Sequence, residues 1–215
     1  MKITTVSGGP LMTNCYLLTD DKTGFTAVID PGFESKELTN RVLEAGADKV
    51  QAILLTHGHF DHITGVAKLK ELTGAKVYLH SEEVRVALDG SLNGTDVFPG
   101  TSIPPFQVDC PMNDEDEIEL GSLKIRVLHT PGHTVGGCCF LAGDALFSGD
   151  TLMNLSCGRT DFPTGNSQQM MRSLQKLAKL PGNYHVYPGH GPDSTLDFER
   201  KNNSFLRMDT YDSLY

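Results

Sequence analysis

At 215 residues, 39% hydrophobic and 21% charged, the chain has the composition of a soluble globular protein. It reads as one domain, residues 1–215, long enough to bury a core without staples. A formal net charge of −9 disfavours non-specific binding to nucleic acid, and no apolar run approaches membrane-spanning length. Met1–Val6 lacks the apolar stretch of a secretory signal, so a cytoplasmic protein is the expectation.

Strand-like runs come first, at Ile3–Val6, Cys15–Thr19 and Thr26–Ile29, the last running into Asp30-Pro31-Gly32. Leu38, Val42 and Ala45 recur at helical spacing, and Gly46 stops that helix. The strand Ala52–Leu55 follows, then a helix with Ile63, Val66, Ala67 and Leu72 on its buried face, then a strand at Val77–Leu79. Asp89–Pro105 lacks periodicity and carries six Gly and Pro residues. It reads as a loop, either a flap over a site or a surface excursion. Four strands follow near Ile118–Leu120, Leu123–Leu128, Cys138–Leu141 and Ala145–Ser148. A helix at Ser167–Leu180 has Asn166 and Gln169 as a capping pair and Met170, Leu174 and Leu177 in its apolar stripe. After the strand His185–Tyr187 a last helix begins near Ser194, with Ser194 and Asp197 as its cap and Glu199, Arg200 and Lys201 as a charged face. Each half thus offers a sheet with helices for only one face. Two such sheets can bury their other faces together as an α/β/β/α four-layer sandwich.

Thr56-His57-Gly58-His59-Phe60-Asp61-His62 places three imidazoles and a carboxylate directly after a buried strand. Neutral imidazole and carboxylate suit zinc and related divalent metals. Three more strand-like runs end in the same residue types: Leu123–Leu128 leads to His133, Ala145–Gly149 to Asp150, and His185–Gly189 to His190. Ligands on loops at the ends of rigid strands make a metal site the reading. Five cysteines without a CxxC pair indicate neither a disulfide framework nor a zinc ribbon. Cys138 and Cys139 should point to opposite sheet faces, and Cys157 reads as a packed loop residue. His129, His80 and His185 read as structural or supporting residues. Asp30 either orients an imidazole from behind or makes a turn.

The His57-Gly58-His59-Phe60-Asp61-His62 motif, with His133, Asp150 and His190 after it, resembles the metallo-β-lactamase superfamily over nearly the whole chain. The resemblance implies that His57, His59 and His133 hold one metal, that Asp61, His62 and His190 hold a second, and that Asp150 bridges them. It implies two divalent ions, zinc first, with iron and manganese also compatible. A metal-bridging hydroxide, oriented by Asp61 as the catalytic residue, would attack an acyl carbonyl. Asp150 stands where many β-lactamases of this fold have Cys, and His59 where flavodiiron proteins have Glu. The segment Ser156–Gly165 resembles the loop of glyoxalase II-like thioesterases in which a basic residue contacts the glycine carboxylate of glutathione. Arg159 matches that position, with an internal pairing to Asp161 as the competing role. Only Asp193–Tyr215 follows the last ligand closely, so the chain resembles the short, hydroxyacylglutathione hydrolase-like branch, acting on a small-molecule thioester such as S-lactoylglutathione. The alternative is persulfide dioxygenase, with a single iron on His57, His133 and Asp150.

Overall fold

Two six-stranded mixed sheets pack face to face, and each carries helices on its outer side. The computed structural model describes residues 1–98 and 100–207. Pro99, inside the segment read as a loop, and residues 208–215, the end of the chain after the last expected helix, lie outside them.

The first sheet runs in spatial order β1 (Lys2–Gly8), β2 (Thr13–Thr19), β3 (Thr26–Ile29), β4 (Val50–Leu54), β5 (Lys76–His80) and β6 (Cys110–Met112). Its first three strands are antiparallel and β3 to β6 are parallel. The second contains β7 (Glu117–Leu120), β8 (Leu123–His129), β9 (Cys138–Ala142), β10 (Ala145–Gly149), β11 (His185–Pro188) and β12 (Ser194–Thr195), in reverse spatial order. There only β10 and β11 are parallel. The helices are α1 (Lys36–Ala45), α2 (Phe60–Ile63), α3 (Val66–Thr73), α4 (Val84–Leu88), α5 (Gly90–Asn93), α6 (Ser167–Ala178), α7 (Leu196–Asn202) and α8 (Ser204–Arg207).

Period-two alternation explains the layering. Along β2, Cys15 and Leu17 face the helices, where they join Leu38 and Val42 of α1 and Val66 and Leu69 of α3. Tyr16 and Leu18 face inward and meet Phe140 and Phe147 of the second sheet. Cys138 enters that inter-sheet layer, whereas Cys139 packs toward Met170, Leu174 and Leu177 of α6, as their opposite faces require. The caps are local: Ser35 accepts from Leu38 N at 3.0 Å and Asn166 from Gln169 N at 3.0 Å.

Several expectations are corrected. The helix after the histidine motif is two pieces, because Gly65 N donates to Pro31 O (2.8 Å) at the break. Leu69, not Leu72, completes its buried face, and Leu72 is exposed. The segment from Asp89 is not an open loop at its start: it folds as α5 and a short 3-10 turn at Thr95–Val97. The last long helix is capped by Thr195, which accepts from Phe198 N, while Ser194 belongs to β12. Glu199 is not on a charged outer face. It is fully buried, accepting from Leu155 N (2.9 Å), Ser194 Oγ (2.5 Å) and Asn203 Nδ2 (2.8 Å).

Candidate metal centre

The carboxyl ends of parallel strands β3, β4, β10 and β11 open on the same edge of the sandwich, a common place for ligand sites in α/β folds. Cross-links hold that edge together. Asn14 N donates to Gly189 O (2.8 Å), Asn14 Nδ2 to Pro188 O (3.0 Å), and Tyr16 Oη to Pro188 O (2.6 Å), which pins the His190 loop to β2. Cys138 N donates to Thr56 O (2.8 Å), tying the histidine motif to β9. Gly189 is required here: a Cβ on it would lie 2.3 Å from Asp150 Oδ1.

All seven expected ligand residues converge. His57, His59 and His133 bring ring nitrogens within 4.8 Å of one another, and their rings stand nearly perpendicular in pairs, with centroids 4.6–4.9 Å apart. Asp61, His62 and His190 form a second group within the same reach. Asp150 lies between the two. Its Oδ2 is 3.5 Å from His133 Nε2 and 3.7 Å from His190 Nε2, and its Oδ1 is 3.4 Å from His62 Nε2.

The outer ring nitrogens of four histidines are occupied, which turns the inner ones toward the centre. His133 Nδ1 donates to Arg159 O (2.7 Å), His190 Nδ1 to Leu11 O (3.1 Å) and His62 Nδ1 to Asp30 Oδ2 (2.9 Å). His57 Nδ1 donates to Thr56 Oγ1 (3.1 Å), whose hydroxyl in turn donates to Asp30 Oδ2 (2.6 Å). Asp30 therefore orients one imidazole of each group. It does so from a left-handed backbone position (φ 50°), which short Asp tolerates better than most residues.

The electrostatics fit a cation. Burial, then the charge of neighbouring imidazoles, holds His57 well below the usual histidine range, and burial with His133 pushes His59 down to about 3. Both rings are neutral with free lone pairs at neutral pH. For His62, burial works toward deprotonation, but Asp61, Asp150 and Asp30 outweigh it and raise the ring to about 10. Burial would raise the Asp61 carboxyl, yet His62 and His190 hold it well below the usual carboxylate range. His57 Nε2 and Asp150 Oδ1 are buried without any hydrogen-bond partner, and His59 turns Nδ1 to the cluster, 2.8 Å from His133 Nε2. A buried orphan of this kind costs about 1–3 kcal/mol, and a bound cation removes that cost. The residues present fit divalent metal.

Three contributors were not visible in the sequence. Thr13 Oγ1 donates to Asp61 Oδ2 (3.1 Å), and Thr56 relays between His57 and Asp30. Glu83, fully buried, accepts from Gly58 N (2.9 Å) and Gly136 N (2.7 Å), strapping the His57–His59 loop to the loop after His133. Its neighbour Glu82 is exposed, and nothing in Ser81-Glu82-Glu83 distinguishes the two before folding. His129 stands apart from the ligands. It stacks on His80 at 4.1 Å, with Nε2 against Val135 O (3.0 Å), and His185 pairs with Asp193 (2.6 Å).

A cavity of about 280 Å³ opens beside the cluster, walled by Leu11, Phe60, Phe98, Met153 and Phe162. Arg159 lines it but is held by Asp161 through two 2.7 Å hydrogen bonds, with its guanidinium 3.9 Å over the Phe162 ring. Cys157 also lines it. Burial pushes its thiol up to about 11, which keeps it protonated. A larger groove, about 430 Å³, lies between α1 and α3 and is lined by none of the ligand residues.

An α/β/β/α sandwich with a buried His/Asp cluster at its strand ends is the architecture of a metalloenzyme. The chain belongs to the metallo-β-lactamase superfamily, whose family model matches residues 8–190. Among its relatives is a probable metallo-hydrolase of Bacillus subtilis, YqgX, 35% identical over 92% of this chain and 94% of the relative. Hydroxyacylglutathione hydrolase GloC of Haemophilus influenzae is 34% identical over 90% of this chain and 92% of its own length. Of solved structures, the BLEG-1 B3 metallo-β-lactamase superposes with a TM-score of 0.88 at 33% identity, covering 95% of this chain and 99% of that one. TTHA1623 in a di-iron-bound form has a TM-score of 0.82 at 36% identity, covering 94% and 99%. No helix among the described residues is long and apolar enough to cross a membrane.

Proposed function

We propose that this protein, as a single domain over residues 1–215, is a metal-dependent hydrolase of thioesters, acting on an S-acylated small thiol. The observation that carries the hydrolase reading is the pair of ligand groups sharing Asp150 at the edge of one cavity. Thioester chemistry is supported by the likeness to a hydroxyacylglutathione hydrolase and by Arg159 at the cavity. In this reading His57, His59 and His133 would hold one ion and Asp61, His62 and His190 the other, with Asp150 within reach of both groups. Two divalent ions, zinc in the first instance, supply when bound an activated water and polarisation of the acyl carbonyl. Iron remains compatible, and one similar structure is a di-iron form.

The chain's own residues do the rest. Asp61, fixed by Thr13 at Oδ2, would orient the attacking water. The buried rings of His57 and His62, braced through Asp30, keep the centre from rearranging as charge develops. Arg159 takes the carboxylate of the thiol carrier by exchanging it for Asp161. Both partners are exposed, so this solvent-screened pair is easily opened. The convergence of Asp61, His62 and His190 as a second group supports two metals over the one-iron persulfide dioxygenase arrangement.

The test is the initial rate of S-lactoylglutathione hydrolysis by metal-loaded and chelated protein, with a chromogenic cephalosporin in parallel because of the likeness to BLEG-1. A metal-dependent rate on the thioester is expected. No thioester rate above the chelated control, with the cephalosporin turned over, would replace this reading with β-lactam hydrolysis.

A further inference from the structure

The polar groups around the cavity are almost all engaged elsewhere, and this limits what the cavity can recognise. Apart from the ligand side chains, its polar lining is Asn93, Cys157 and Arg159. Asn93 is buried and turned toward its own loop: Nδ2 donates to Ala87 O (3.1 Å), and Oδ1 accepts from Thr95 N (3.0 Å) and Thr95 Oγ1 (2.9 Å). Arg159 sits at the exposed edge with Asp161. The remaining wall is hydrocarbon and aromatic. Phe60 and Phe98 stack at 4.8 Å, and Gly94 lies flat against the Phe60 ring, where a Cβ would be 3.3 Å from it. Leu11 is 43% exposed on the side where its carbonyl accepts from His190.

We infer that this cavity is an acyl chamber and that the preferred substrates are thioesters of apolar acyl groups. This rests on the thioester reading above. With the carbonyl at the metals, one arm of the substrate must enter the chamber and the other must pass the Arg159–Asp161 edge. A hydroxylated acyl group such as lactoyl meets a wall that is mainly hydrocarbon and aromatic among the described residues. An alkyl chain gains by leaving water, about fourfold in affinity for each methylene buried. Phe60 lies in sequence between His59 and Asp61, and Phe98 ends the 3-10 turn, its N–H donating to Thr95 O. The wall is thus fixed relative to the metals, and chain length is read from the reacting carbon outward.

The test separates the chamber from the chemistry. Ethyl, butyl, hexyl and octyl thioethers of N-acetylcysteamine, which cannot be hydrolysed, are titrated into metal-loaded protein by calorimetry. Kd should fall about fourfold per methylene until the chamber is full. Phe98→Ala, at a half-exposed position, should flatten that slope and weaken the longest ligand most. A Kd independent of chain length, or tightest for ethyl, overturns the inference. The matching acyl thioesters are then assayed beside S-lactoylglutathione. Thioester hydrolysis without a rise in kcat/KM with chain length removes the chamber and leaves the proposed function. Length-dependent thioether binding with no hydrolysis of any thioester keeps the chamber and removes the thioester chemistry.

Discussion

The two ligand groups lie side by side at the same edge of the sandwich, yet they differ in charge and in access. His57, His59 and His133 are all nearly inaccessible, and Thr56, the Arg159 carbonyl and the Glu83 strap hold them in place. Burial keeps His57 and His59 neutral, so no proton has to leave either when a metal enters. The second group contains Asp61, adjoins Asp150, and includes His190, whose side chain is 23% exposed. Carboxylates on three sides raise His62 to about 10, so a proton holds the place a cation would take. The first pocket is a preassembled nitrogen site. In the proposed function the second would exchange a proton for a metal on the side toward the cavity, where an orienting carboxylate is useful.

Substitutions can break that contrast. Asp61→Asn has the largest expected effect, a loss in kcat of about a thousandfold with an unchanged circular dichroism spectrum, because only the ionised carboxylate can orient the attacking water. Asp30→Ala should weaken both pockets together. It reaches His57 through Thr56 and His62 directly, so metal affinity at both should drop about 10–100-fold in a chelator competition. Glu83→Ala should act on one pocket alone. The Gly58 and Gly136 N–H groups lose their acceptor, affinity at the first pocket falls about tenfold, and the second keeps its value. The same variant should lose about 1–3 kcal/mol of stability to denaturant. Arg159→Ala, the smallest effect, should raise KM for a glutathione thioester a few-fold and leave kcat alone.

The metal-site residues were legible because His and Asp are rare at the ends of buried strands, and each such strand announced itself by β-rich composition and a Gly or Pro. The layering followed from alternation in β2 and from the stripes of α1 and α6. What stayed hidden depends on distant partners. Glu199 reads as surface charge, but Leu155 N, 44 residues away in sequence, makes it a buried acceptor. Glu83 is hidden for the same reason, since its partners lie 25 and 53 positions distant. The break at Gly65 needs the Pro31 carbonyl, and β6 is three residues long, too short for a pattern. Arg159 carried both meanings in the sequence. The structure shows its pairing with Asp161 and its place on the cavity wall together.

The most direct test of two unequal pockets is a zinc titration of chelated protein by calorimetry at about pH 8 and about pH 6, with His190→Ala alongside. His62 must release its proton for the second metal, so affinity there should weaken as pH falls, while His57 and His59 of the first pocket have no proton to release. Two equivalents are expected at the higher pH, the weaker one fading at the lower pH and missing in His190→Ala. A single equivalent that ignores both the pH and His190→Ala would contradict the account.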